Sequence, residues 1–355
     1  MVTQVLSAEQ QSLELAAELF RAGQLVAFPT ETVYGLGANA LNREAVLRIF
    51  EAKGRPADNP LIVHIWNRKQ LSEICTPSPV ALRLMDAFWP GPLTLIMPRK
   101  PQIPAETAAG LPTVAVRMPS HPVAFALLKT CNLPIAAPSA NRSGKPSPTT
   151  AHHVFDDMEG RIPLIIDGGA CDFGVESTVL DVCHDVPCIL RPGSVTKGML
   201  EDALGMEVTV AGSVLRPLAK GEKALSPGMM YQHYAPDGQV TLVEGDSRDV
   251  VPAMQALCQH AVEQGHRTCV MCFTEHVGAL SDYNPHDIGS AQHPEEVAHR
   301  LFDTLRQLDD EKMDVIFSEV VAPEGVGLAV MNRLGRAAAF RTVQAEKVLE
   351  NLKKF

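Results

Sequence analysis

The chain has 355 residues, of which 46% are apolar and 20% charged, and its net charge is −10. That length exceeds what one hydrophobic core usually serves, so two domains are expected. No apolar run is long enough to predict a membrane span, and the acidic balance argues against stable, sequence-independent nucleic-acid binding. The charge is uneven: residues 1–206 hold 17 basic against 20 acidic side chains, the remainder 14 against 21. A local basic pocket for phosphates remains compatible with the first part.

The N-terminus, MVTQVLSAEQQ, has no basic stretch followed by an apolar one, so no secretory leader is expected. The 8 cysteines are scattered, several inside apolar runs, which suits a reducing compartment and predicts a cytoplasmic protein. Cys269 and Cys272 form a lone CxxC pair. On a strand such a spacing points the two thiols to opposite faces, and no second pair completes a tetrahedral metal site, so core packing is the expectation and no metal ligands are assigned.

Taken in order, Ala8 to Ala22 reads as an amphipathic helix closed by Gly23, followed by an apolar strand, Leu25 to Phe28. The polar cluster Thr30, Glu31, Thr32 follows, and Gly35 and Gly37 are expected to turn the backbone ahead of a helix from Arg43 to Lys53. Val46, Ile49 and Phe50 share one face of that helix, and Lys53 falls on the same stripe. A lone lysine there commonly snorkels to water, but here it is joined by Arg55, Asn59 and His64 within one strand-helix-strand unit. Burying that many polar groups costs several kcal/mol unless a ligand or protein groups satisfy them. In LIVHI the alternation places Ile62 and His64 opposite Leu61 and Val63.

A helix near Pro79 to Trp89 leads to a proline-bounded strand in PGPLTLIMPRK, and Pro101 to Leu111 reads as a loop. In TVAVRMP, Thr113, Ala115 and Arg117 share one face and Val114 and Val116 the other; a guanidinium beside small residues suits a carboxylate. After a helix from Pro122 to Thr130, PIAAPSANRSGKPSPTT presents Ser139, Asn141, Ser143 and Ser147 around Gly144 and Lys145. Small residues with exposed N–H groups suit phosphate oxygens, although the segment is not a P-loop. Three strands are expected within Leu164 to Val182 and Cys188 to Val195, with Ser177 and Arg191 at strand ends, then a helix near Lys197 to Leu204.

The pattern fades from Val208 to Ser226, where the linker is placed. It ends in SPGMMYQHYAPDGQ, rich in Tyr and His, which is expected to act as a lid. Strands QVTLVEG, RTCVMCF and DVIFSEV then alternate with helices Arg248 to Glu263, Glu295 to Leu308 and Leu328 to Ala339, predicting a small Rossmann-like parallel sheet. The expected division is residues 1–206, a linker at 207–237, and 238–355. The predicted class is α/β: an N-terminal twisted mixed sheet with flanking helices enclosing a cavity, plus that smaller C-terminal domain.

Together, TETVYGLGANAL, KGRPADNPLIVHI, PGPLTLI, VAVRMP, APSANRSGKPSPT, ESTV, LRPG and SPGMMYQHYAP resemble the two-domain type of threonylcarbamoyl-AMP synthase. The resemblance implies that L-threonine, bicarbonate or CO2, and ATP give threonylcarbamoyl-AMP and pyrophosphate. A downstream transferase would then place the group on the tRNA adenosine beside the anticodon. Carried over position by position, Thr32, His64, Arg117, Ala137 and Ser177 would hold threonine. Arg55, Asn59, Thr113, Ser139, Ser147, Arg191 and Tyr231 would hold ATP, with Lys53 near the phosphates and Mg²⁺ as an expected companion. Lys53, Arg55 and His64 are the catalytic candidates. Where the family often carries basic residues in the linker motif, this chain has Met230 and Gln232.

Two rival readings compete with this one. A non-catalytic module for double-stranded RNA would need a basic face and predicts salt-sensitive affinity. A nicotinamide-dependent oxidoreductase rests on Gly35-x-Gly37-x-x-Ala40, but that segment starts several residues after its strand, whereas the fingerprint should open a helix directly.

Overall fold

The computed structural model describes residues 1–216 and 234–352. It divides into two compact units, the first containing Met1–Ser143 and Ser147–Val214, and the second built mainly from the residues beyond the linker.

The first unit is an 11-stranded mixed sheet. Its strands are β1 (Gln4–Ser7), β2 (Val26–Phe28), β3 (Gly35–Asn39), β4 (Ile62–His64), β5 (Leu93–Pro98), β6 (Thr113–Arg117), β7 (Ile135–Ala136), β8 (Leu164–Asp167), β9 (Thr178–Asp181), β10 (Cys188–Arg191) and β11 (Thr209–Val210). The spatial order is β1-β8-β2-β3-β7-β4-β6-β5-β9-β10-β11. Helix α1 (Gln10–Arg21) buries Leu13, Ala16, Ala17 and Phe20, the apolar face of the amphipathic helix expected there. Helix α2 (Arg43–Lys53) opens with Asn42 accepting from the Glu44 and Ala45 amides, and closes at Gly54, whose φ of 63° suits a residue without a Cβ.

Gly35 and Gly37 do not turn the chain. They belong to β3, paired antiparallel to β2 through Val26↔Gly37 and Phe28↔Gly35. The reason is packing: a Cβ on Gly37 would lie 2.8 Å from the Phe28 ring and 2.9 Å from both Ile135 and the Phe20 ring. The glycine is a strand residue beneath aromatic side chains, a use that composition alone does not separate from a turn. It also disposes of the oxidoreductase reading, since the glycines lie within a strand and do not open a helix. The short edge strands β1 and β11 were likewise not anticipated.

Faces alternate as the pattern demands. Leu61, Val63, Ile65, Val114 and Val116 enter one large core with Leu93, Leu95 and Met97, while Ile62 and Ala115 pack with Ile96 and Val179 on the other side of the sheet. Polar residues that continue this second face are therefore brought side by side.

The second unit is a parallel sheet of β12 (Gln239–Glu244), β13 (Thr268–Cys272), β14 (Pro285–Asp287), β15 (Val315–Glu319) and β16 (Thr342–Gln344), in the order β14-β13-β15-β12-β16. Every pairing in it is parallel. The Rossmann-like expectation holds, with two short strands and a final helix, Ala345–Leu352, added to it. Cys269 and Cys272 are fully buried in β13, and burial pushes both thiols up to about 12, which leaves them inert core residues.

Candidate active site

Strand register builds the first half of the site. β4 and β6 are parallel with His64 opposite Arg117, and β5 lies on the other side of β6 with Thr94 opposite Arg117. His64, Arg117 and Thr94 thus form a row across three neighbouring strands. The Arg117 guanidinium is 3% exposed. Its Nη1 donates to Thr32 Oγ1 at 2.9 Å, its Nε to the Gly91 carbonyl at 3.2 Å, and its Nη2 lies 2.6 Å from Glu31 Oε1. Thr32 is itself fixed by Thr30 at 2.8 Å between hydroxyls.

Thr94 carries the row onward: its hydroxyl is 2.8 Å from that of Ser177, and Ser177 in turn accepts from Arg191 Nη2 at 3.1 Å. Arg191 Nε also donates to the Ser177 carbonyl. Ala137 joins through its amide, which donates to the Ile62 carbonyl at 2.9 Å. All five residues assigned to threonine by resemblance thus lie on or beside this one face.

The electrostatics of the row are set by burial and by one charge pair. Burial, then the Arg117 charge, drops the His64 ring from 6.5 to about 3, so it is a neutral imidazole at physiological pH. Its Nδ1 lies 3.2 Å from the Ile62 carbonyl. Burial alone would raise the Glu31 carboxyl, but the adjacent Arg117 outweighs it and holds Glu31 below its usual range.

The second cluster surrounds the C-terminal end of α2. Lys53 does not reach water: it is 4% exposed, and its Nζ donates to the carbonyls of Ser139 at 2.5 Å and Asn141 at 2.6 Å. The Lys53 carbonyl also accepts from the Ser143 amide, so helix and loop are tied at two points. Ser139 is bridged to Gly35 of β3, and its hydroxyl donates to the Asn141 side chain. Arg55 is buried, with its guanidinium 6.0 Å from the Phe50 ring. Asn59 is fully buried, and neither its side-chain oxygen nor its nitrogen has a hydrogen-bond partner among the described residues. A buried amide in that state is explained most simply by a ligand or water. Ser147 is fully buried and donates to Glu176 at 2.5 Å, one residue before Ser177. Thr113 is half-buried at the start of β6, four residues before Arg117. Tyr231, with Met230, Gln232 and His233, lies outside the described residues.

Three groups to which the sequence reading assigns no role stand out. Glu31 was legible only as one member of a polar cluster. Thr94 was hidden in an apolar strand, although a lone threonine in LTLIM was the available signal, because alternation sets it opposite Leu93 and Leu95. Glu176 was visible only as the neighbour of Ser177.

The fold and site define a two-unit α/β enzyme in which a buried guanidinium, hydroxyls and a caged lysine converge on one mixed sheet. Residues 18–193 match the family model described as telomere recombination, the Sua5/YciO/YrdC family, and residues 195–339 match the threonylcarbamoyl-AMP synthase C-terminal domain. The chain is 48% identical over 345 residues to threonylcarbamoyl-AMP synthase of Bacillus subtilis, covering 97% of both chains. It is 46% identical over 337 residues to that of Pyrococcus abyssi, covering 95% of this chain and 96% of the relative. The crystal structure of P. abyssi Sua5 complexed with L-threonine superposes with a TM-score of 0.89 at 45% identity, covering 97% of this chain and 98% of that one. The chain belongs to the threonylcarbamoyl-AMP synthase family, a family of enzymes. That supports the synthase reading and not the double-stranded RNA module.

Proposed function

We propose that the chain converts L-threonine, bicarbonate and ATP into threonylcarbamoyl-AMP and pyrophosphate, with the labour divided between the two clusters. The observation that carries this reading is the continuous polar row of His64, Arg117, Thr94 and Ser177, because it offers one guanidinium and several hydroxyls to a small hydroxy amino acid. A relative of 45% identity is described as complexed with L-threonine.

In this reading the threonine carboxylate is held by Arg117, and its hydroxyl meets Thr32, His64 or Ser177 beside Ala137. The amine, once neutral, attacks the carbon of CO2 with loss of a proton, or of bicarbonate with loss of water, to give a carbamate. A carbamate oxygen then attacks the α-phosphorus of ATP in line, and the bond to pyrophosphate breaks. Arg55 and Arg191 supply positive charge for the phosphates. Lys53 adds charge and shapes the loop that carries Ser139, while Asn59, Thr113 and Ser147 bind the nucleotide and Tyr231 is assigned to it by resemblance. His64 is given hydrogen bonding, not proton removal, because a ring titrating near 3 is a poor acceptor for an ammonium proton.

Among the described residues no group of three His, Cys, Asp or Glu side chains could hold a metal ion. Mg²⁺ therefore belongs in this reading to the nucleotide, bound through phosphate oxygens and water, and no protein residue is assigned to it. Among the described residues no helix is long and apolar enough to cross a membrane. The cytoplasm is the proposed location, and a tRNA-modifying transferase the proposed consumer of the product.

The test is pyrophosphate release from ATP by the full chain, with mass detection of threonylcarbamoyl-AMP. Release is expected only when threonine and bicarbonate are both present; release that ignores either one would overturn the reading.

A further inference from the structure

Glu31 has no part in the division of labour above, yet it lies against the Arg117 guanidinium of the threonine face. It is 2% exposed, and its Oε1 lies 2.6 Å from Arg117 Nη2. Its Oε2 accepts from the His121 amide at 3.3 Å, and its own carbonyl accepts from the Phe173 amide at 2.9 Å, so the residue is pinned by main chain and side chain. Holding Arg117 in place does not require an ionised partner, since Thr32 and the Gly91 carbonyl already fix two edges of the guanidinium. A buried carboxylate beside the group meant to bind a carboxylate is an electrostatic conflict for any simple anion.

We infer that Glu31 is the specificity-determining residue of this face: with Arg117 it forms a net-neutral buried pair that admits an amino-acid zwitterion and repels a carboxylic acid lacking the α-ammonium. The inference rests on the proposal that this face binds threonine. A zwitterion brings no net charge, and its ammonium offsets the second carboxylate placed around one guanidinium. A lone carboxylate brings an uncompensated negative charge into a buried site. Nothing else in the row makes good the difference. His64 is neutral, Thr32, Thr94 and Ser177 are uncharged, and the Arg191 contacts described meet the row at Ser177. Glu31 itself stays ionised, because Arg117 overrides the effect of burial.

The probe pair is L-threonine and its des-amino analogue (R)-3-hydroxybutanoate, titrated calorimetrically into the full chain. The wild-type protein is expected to prefer threonine by at least about 100-fold, in the range seen when a site's buried polar group loses its partner in the ligand. In Glu31→Gln the preference is expected to narrow by at least about tenfold from both sides, threonine binding more weakly and the hydroxy acid more tightly. Glu31→Asp, which keeps the charge, is expected to restore most of the preference. If Glu31→Gln weakens both ligands in parallel, the residue is structural and the inference is overturned. If wild-type protein binds the hydroxy acid within about threefold of threonine, it is overturned whether or not the variant folds. Wild-type protein that binds neither ligand overturns the threonine reading and this inference together, which separates that failure from the first two.

Discussion

At the scale of single residues, two of the cations singled out in the sequence prove to be different devices. Arg117 is a planar fork with one edge on Thr32 and another against Glu31, whereas Lys53 is a point charge caged by loop carbonyls. Arg117→Lys keeps the charge that Glu31 needs but loses the fork, so steady-state kinetics are expected to show the KM for threonine raised more than about tenfold, with the KM for ATP little changed. Lys53→Met keeps the apolar stem and removes the donor that holds the Ser139 to Asn141 loop. Its kcat is expected to fall by at least about tenfold while threonine binding is retained, because none of the Lys53 contacts described touches the Arg117 row. Similar losses in both parameters for both variants would remove the division of labour. His64 supplies a pH signature. Its folded value, near 3, is below its unfolded value of 6.5, so the unfolded chain takes up the proton first and stability is lost as pH falls below about 6.5. The slope is about 1.4 kcal/mol per pH unit per group. Glu31, also depressed, contributes only below the ordinary glutamate value, 4.5. Urea unfolding between about pH 6.5 and 5 should therefore give a shallower slope for His64→Gln by about that amount, leaving the smaller share of His121, whose ring burial also depresses. Equal slopes would show that His64 is not held neutral.

At the scale of elements, the site depends on a close approach that a single methyl group tests. Gly193 follows β10, and a Cβ there would lie 2.4 Å from the Thr178 nitrogen and 2.7 Å from the Glu176 carbonyl oxygen, all rigid main chain. The segment it presses on carries Ser177 between those two residues. Gly193→Ala is expected to destabilise by about 1–3 kcal/mol and to lower the melting temperature by several degrees, with threonine binding lost in step. Gly198, in the helix Lys197–Leu204, has nothing within 4 Å of a built Cβ, so Gly198→Ala should be neutral or mildly stabilising in the same scan. That contrast also shows what the sequence could disclose. The α2 stripe, the alternation in β4 and β6 and the parallel C-terminal sheet were readable because burial on one face imposes a period on the chain. β3 was not, because its glycines make room for Phe20, Phe28 and Ile135, residues contributed by three separate segments. Alternation in TVAVRMP singled out Arg117 as a carboxylate partner, and resemblance assigned both it and Ser177 to threonine. Resemblance did not supply the Thr94 hydroxyl that links the row to Ser177, which follows only from the parallel register of β5 with β9.

At the scale of the molecule, each unit has its own core. The first closes Leu36, Ile49, Val63, Leu95 and Val116 into one cluster, the second Val243, Met254, Val270 and Phe317 into another. Every residue assigned to threonine belongs to the first unit, and every strand of its sheet lies before residue 211. A chain ending at residue 216 retains all of these strands and the whole of that core, so it is expected to unfold cooperatively and to bind threonine within about threefold of the full chain. Turnover is a separate matter, because Tyr231, assigned to ATP by resemblance, is removed by the same cut. Threonine binding should survive where pyrophosphate release falls, and calorimetry with a coupled pyrophosphate assay on one preparation distinguishes the two. A folded truncated chain that no longer binds threonine would mean the amino-acid site draws on residues beyond the first sheet. Undiminished pyrophosphate release would mean the nucleotide needs nothing past residue 216. Either result would redraw the boundary between the two substrates, because the Arg117 row is given to threonine and the caged Lys53 to the nucleotide, both within the first unit.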